Sequence, residues 1–114
     1  MDRFTTAYIE CALWSSVGDG EQSELTDAHT ISDLAPETLA TMVKDCADFQ
    51  RDHSNFISDD ITQAGHDFWL TRNGHGAGFW DGDWPEYGDV LTKFCEAYRE
   101  VTLYVGDDEL IYGA

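Results

Sequence analysis

Apolar side chains recur along the chain in blocks, and the spacing within each block predicts its element. Residues 4–14 form a dense apolar opening. Strand and helix both suit such a run, but Phe4, Tyr8, Cys11 and Trp14 fall three or four apart, and Ala7, Ala12 and Leu13 favour a mostly buried helix. Residues 36–57 carry the clearest helical signal. Pro36 suits a first turn, and Leu39, Met42, Val43, Cys46, Phe49, Phe56 and Ile57 mark one apolar face. Glu37, Lys44, Asp45, Asp48, Arg51 and Asp52 mark the other. Lys44 and Asp48 are four apart and Asp48 and Arg51 three apart, so these bases are expected to pair with acids of their own helix. A short helical turn at Asp59–Ala64 is expected to follow.

The next block predicts a β-hairpin over 66–81. Residues 67–72 form one strand, Asn73-Gly74-His75-Gly76 the turn, and residues 77–81 the return. Asn-Gly is a strong hairpin signal because both residues tolerate positive φ. Residues 84–99 predict a further helix, with Trp84, Tyr87, Leu91, Phe94 and Tyr98 recurring at helical spacing. Asp83 and Glu86 stand at capping-box separation there, and Pro85 lies in the first turn. The chain closes on a second hairpin: Val101, Leu103 and Val105 alternate with Thr102 and Tyr104, Gly106-Asp107-Asp108 turns, and Leu110-Ile111-Tyr112 returns. The expected fold is α+β. A small antiparallel sheet of two hairpins, about four strands, packs with three helices in the order α-α-β-β-α-β-β. One domain spans 1–114, with an acidic loop at about 15–34.

Charge changes this picture most. The 114 residues hold 23 Asp and Glu against 6 Lys and Arg, a formal net charge of -17. Such a surface repels nucleic acid and attracts basic protein. The 4 Trp, 5 Tyr and 6 Phe supply a core, which separates this chain from disordered acidic tails. Cys11, Cys46 and Cys95 are widely spaced and never form a CxxC pair, so they read as small buried hydrophobes in a reducing compartment. The opening residues lack the basic start and apolar run of a secretory signal, and no stretch reaches the roughly 18 apolar residues of a membrane span.

The stretch Ala64-Gly-His-Asp-Phe-Trp-Leu-Thr-Arg-Asn-Gly-His-Gly-Ala-Gly-Phe-Trp-Asp81 resembles a family of small acidic bacteriophage and prophage proteins. Residues 6–16, 35–39 and 103–108 are also similar to that family. After Trp80-Asp81 those proteins often carry an Arg, where this chain has Gly82-Asp83. The resemblance implies a phage or mobile-element setting, and so the cytoplasm of a bacterial host. It implies no activity.

Candidate chemistry concentrates in two places. At 66–81, His66, Arg72, Asn73 and His75 stand among aromatics and glycines, and offer a small ligand or acid–base site. The structural alternative is a turn whose glycines serve the backbone. No nucleophile or oriented base stands at a recognisable spacing, so no catalytic residues are assigned. His66 and His75 lack the spacing of a metal pair. Asp81-Gly-Asp83-Trp-Pro-Glu86 begins like a calcium loop but has Pro85 at a ligand position and Glu86 where Gly is needed. Neither metal nor cofactor is expected.

The second place is the acidic surface. It reads as solubility or salt adaptation, as mimicry of the regular phosphate charge of DNA, or as a dock for another basic partner. Asp19, Glu21, Glu24 and Asp27 of the loop, with Asp45, Asp48 and Asp52 of the second helix, are the candidate contacts. The leading expectation is a non-enzymatic phage accessory protein that inhibits a host nucleic-acid-handling defence protein by presenting a DNA-like surface. The alternatives are a ligand-binding module or enzyme at 66–81, and a non-inhibitory interaction protein.

Overall fold

The structure is a computed structural model, and it describes residues 1–15, 30–74, 78–80 and 84–113. Four α-helices and one two-stranded sheet are present among them: α1 (Arg3–Ser15), α2 (Pro36–Ile57), α3 (Ile61–Arg72), α4 (Gly88–Cys95), β1 (Leu103–Val105) and β2 (Ile111–Gly113). A 3-10 turn at Ile31–Asp33 precedes α2.

The first two helices and the closing hairpin match the sequence pattern. Asp2 caps α1 by accepting the Thr5 N–H at 2.8 Å. Pro36 opens α2, whose buried face is built on Met42, Cys46, Phe49 and Ile57, while Val43 stays exposed. Non-helical backbone at His53 kinks this helix four residues before its end. β1 and β2 pair antiparallel in the register Leu103 with Gly113, Tyr104 with Tyr112 and Val105 with Ile111. The far edge of β2 is partly covered, because Leu34 forms a parallel bridge with Ile111 and the Ala35 N–H donates to the Ile111 carbonyl at 3.0 Å.

The central hairpin does not form, which overturns the expected three helices and four strands. Residues 67–72 belong to α3, and the order is α-α-α-α-β-β. The expected turn at Asp59–Ala64 is the beginning of this helix. Asp60 caps it, accepting the Gln63 N–H at 3.1 Å. Asn73-Gly74 is its stop rather than a hairpin turn. The Asn73 amide donates to the Trp69 carbonyl at 2.9 Å, and Gly74 takes φ +69° just past the helix end. The same dipeptide suits both roles, since a left-handed glycine also terminates a helix. The expected return strand at 77–81 is absent from residues 78–80, which lie in bend and turn. Positions 75–77 and 81 of that hairpin, and the capping position Asp83, lie outside the described residues. The expected helix at 84–99 contracts to α4; Trp84 and Tyr98 fall outside it, the Trp84 carbonyl accepting from the Gly88 N–H and the Tyr98 N–H donating to the Cys95 carbonyl.

Helix α3 packs most intimately on α1. A Cβ at Gly65 would run into the Phe4 carbonyl oxygen, so the missing side chain is what permits this approach. Phe4, Tyr8, Phe49 and Phe68 form the aromatic centre of the core. The Phe49 and Phe68 rings stack at 4.3 Å, and the Tyr8 and Phe68 centroids lie 5.2 Å apart. All three cysteines are buried free thiols. No helix among the described residues is long and apolar enough to cross a membrane.

Candidate functional site

The polar residues of 66–81 separate into structural and surface roles. Asp67 is almost fully buried on α3 and accepts from the Trp84 indole at 2.7 Å and from the Gln63 amide at 3.0 Å. Buried carboxylates require such donors, because desolvation without them costs several kcal/mol, of order 5 or more. Asp67 thereby ties α3 to the segment entering α4. Asn73 works likewise, accepting the Val101 N–H at 2.7 Å and so holding the chain that leads into β1.

Arg72 is the hub of the molecule. Its Nε and Nη2 donate to the Arg99 carbonyl at 2.8 and 2.6 Å. Its Nη1 donates to the Asp45 carboxylate at 2.8 Å and to the Tyr8 hydroxyl at 3.1 Å. The guanidinium also lies 5.7 Å from the Phe68 ring centroid and 5.4 Å from that of Tyr98. Burial disfavours its charge, but Tyr8 and the Asp45 hydrogen bond outweigh that and hold its pKa above the usual value. Burial also pushes the Tyr8 phenol well up. Four of its five N–H hydrogens are spent inside the molecule and its side chain is buried, so this arginine supports packing rather than a surface ligand.

His66 does not join it. Half-buried on another side of α3, it lines a groove of about 700 Å³ with Glu10, Leu13, Trp14, Thr30, Ile31 and Ser32. His66 and Arg72 thus share no site, and His75 lies outside the described residues. The idea of a ligand or acid–base centre required those three to converge. Among the described residues, no group of three or more His, Cys, Asp or Glu side chains is placed to hold a metal ion.

The acidic candidates divide as well. Asp19, Glu21, Glu24 and Asp27 lie outside the described residues. Asp45, Asp48 and Asp52 lie on α2, and each accepts from a base. Lys44 and Arg51 donate to Asp48 at 2.7 and 3.0 Å, Arg51 donates to Asp52 at 3.1 Å, and Arg72 holds Asp45. The Lys44 hydrogen bond keeps the Asp48 carboxyl below its ordinary range. Lys44–Asp48–Arg51 is the pairing expected from spacing. With Arg72 added from α3, the three acids of this stretch of α2 meet three bases, and the cluster carries no net negative charge.

A second groove, of about 290 Å³, runs between α2 and β2. Tyr8, Glu37, Thr38, Thr41, Met42, Asp45, Val101, Tyr112 and Gly113 line it. Of these, the sequence reading singled out only Asp45 as a contact. The available signal was the eight-residue interval from Glu37 to Asp45, which places both on one helix face about 12 Å apart along the axis. Beside the groove, the Tyr112 hydroxyl donates to Asp108 at 2.6 Å, which raises the phenol to about 12 and lowers the carboxyl. Tyr104 stacks on Tyr112 with centroids 5.8 Å apart.

Comparison with protein-family models, with curated proteins and with solved structures gives no match to this chain, so its fold and surfaces are read from its own residues.

Proposed function

We propose that this chain is a non-enzymatic phage accessory protein that binds and inhibits a basic, nucleic-acid-handling protein of its bacterial host, occupying the surface that protein offers to DNA. One observation carries the reading: the distribution of charge left after the internal pairs are formed. Of 23 acids and 6 bases, three of each belong to the α2 cluster, so 20 acids and 3 bases remain over the rest of the chain. The bases there are Arg3, Lys93 and Arg99.

Asp19, Glu21, Glu24 and Asp27, outside the described residues, stay candidate contacts, and on α2 the weight moves away from the paired acids. Asp45, Asp48 and Asp52 are neutralised locally and contribute little field. Exposed acids without a basic partner among the described residues do more, notably Glu37 at the start of α2, Asp107, Asp108 and Glu109 in the closing turn, and Glu86, Asp89, Glu96 and Glu100 around α4. Uncompensated charge of one sign steers association with an oppositely charged surface and makes it sensitive to salt.

The test is capture from bacterial lysate at low salt on the immobilised chain, followed by competition. A basic nucleic-acid-binding protein should be retained, be released by salt, and be displaced by duplex DNA. Recovery of no such protein, or of one that duplex DNA fails to displace, overturns the proposal.

A further inference from the structure

We infer that the groove between α2 and β2 is the anchor point for a lysine residue of the basic partner. This rests on the reading of the chain as an acidic binding protein and assigns that binding a specific seat.

The lining supplies complementary groups at both ends. Glu37 is exposed at one end, with its carboxylate in no ion pair among the described residues. Asp45 stands at the other. Its Oδ2 is held by Arg72, while its Oδ1 has no hydrogen-bond donor among the described residues. Met42, Val101 and Gly113 give the wall between them an apolar character. A cation on an aliphatic stem fits such a lining, since the stem covers apolar surface while the ammonium stays at the rim.

Tyr8 is the independent observation. Its side chain is 1% exposed, and its hydroxyl oxygen accepts from Arg72. The hydroxyl hydrogen meets no acceptor among the described residues. A buried donor left unmade is costly and calls for an explanation. Here it lines a groove, and the missing partner is an acceptor. A lysyl residue of an extended peptide supplies all the complements at once: an ammonium for Glu37, a main-chain carbonyl for the Tyr8 hydroxyl, and a main-chain N–H for Asp45 Oδ1.

The experiment titrates the full chain with blocked tetralysine at about 10 mM salt, where screening extends about 30 Å, and reads backbone amide shifts and affinity. Shifts should concentrate at Thr38, Thr41, Val101 and Gly113. Glu37→Gln and Tyr8→Phe should each weaken binding about five-fold, as loss of one hydrogen bond does. Glu96→Gln, which removes the same charge elsewhere, should change it by less than about two-fold. Tyr8→Phe leaves net charge untouched, so its effect separates a seat from a general field. Equal weakening by Glu37→Gln and Glu96→Gln, or shifts scattered over the acidic surface, overturns the groove assignment and leaves the acidic-binding reading standing. A chain that captures a basic protein from lysate yet ignores tetralysine also overturns the groove alone. If Tyr8→Phe does not fold, the shift map of the unaltered chain decides.

Discussion

The guanidinium of Arg72 donates to the carboxylate of Asp45 at 2.8 Å, although 27 residues separate them. That bond joins the end of α3 to the middle of α2, and two more from the same side chain reach the Arg99 carbonyl behind α4. Replacing Arg72 with Ala removes every one of these and leaves Asp45, Tyr8 and a carbonyl without their donor. Breaking a buried pair by deleting one partner costs about 3–5 kcal/mol. Since Asp45 keeps some solvent contact, the lower end is expected. Arg72→Lys should recover little, because an ammonium cannot reproduce a planar fork shared between a carbonyl and a carboxylate. Urea denaturation of both variants checks this, and a loss below about 1 kcal/mol for Arg72→Ala would contradict the assignment of Arg72 as the hub.

The path from sequence to structure failed at α3 for a definite reason. Amphipathic periodicity marks a helix with one wet side, which is why α1, α2 and their boundaries were legible. In α3 the consecutive residues Asp67, Phe68 and Trp69 are all buried, and Arg72 is buried too. A helix covered on most sides shows no polar stripe, and its Asn-Gly stop imitates a hairpin turn. The same burial hid the site chemistry. Lys44, Asp48 and Arg51 could be paired from their spacing on one helix, whereas Arg72 with Asp45 and Trp84 with Asp67 depend on tertiary contacts that no local pattern encodes.

Gly65 provides a test of the α1–α3 contact. The Cβ of an alanine there would meet the Phe4 carbonyl oxygen, which is backbone and cannot swing aside. On helix propensity alone Gly65→Ala should stabilise by about 1 kcal/mol. Overpacking of a close contact costs about 1–3 kcal/mol or more, and here it should win. Thermal melting should therefore show a lower midpoint for Gly65→Ala. A higher one would mean that α1 and α3 do not approach as described.

The cysteines give a prediction about reactivity. Burial pushes the thiols of Cys11 and Cys95 up to about 12, and that of Cys46 higher still. The thiolate is the reactive form, so at about pH 8 the folded chain holds almost none of it. A disulfide reagent added to the native protein should label slowly, at the rate of unfolding or local opening. In denaturant all three thiols should react at once. Rapid labelling of any one in the folded state would place that cysteine outside the core.

His53 sets the pH response near neutrality. Its ring lies 3.8 Å from the Phe94 ring with an interplanar angle of 11°, and presents an edge to Phe49 at 4.8 Å. Burial among these rings lowers its pKa below the ordinary 6.5, and Asp52 opposes that shift only in part. In the window between the lowered value and 6.5, the unfolded chain binds the proton and the folded chain does not. Stability therefore rises with pH across that window. The contribution is complete above 6.5 and is lost as pH falls through the folded value. The carboxylates with lowered pKa, Asp2, Asp48 and Asp108, act in the same direction but at more acidic pH. Urea midpoints measured between about pH 5 and 7 should climb for the unaltered chain. In His53→Phe, which keeps an aromatic ring in the stack and removes the titration, that climb should flatten. An equally steep climb in both would assign the response to another group.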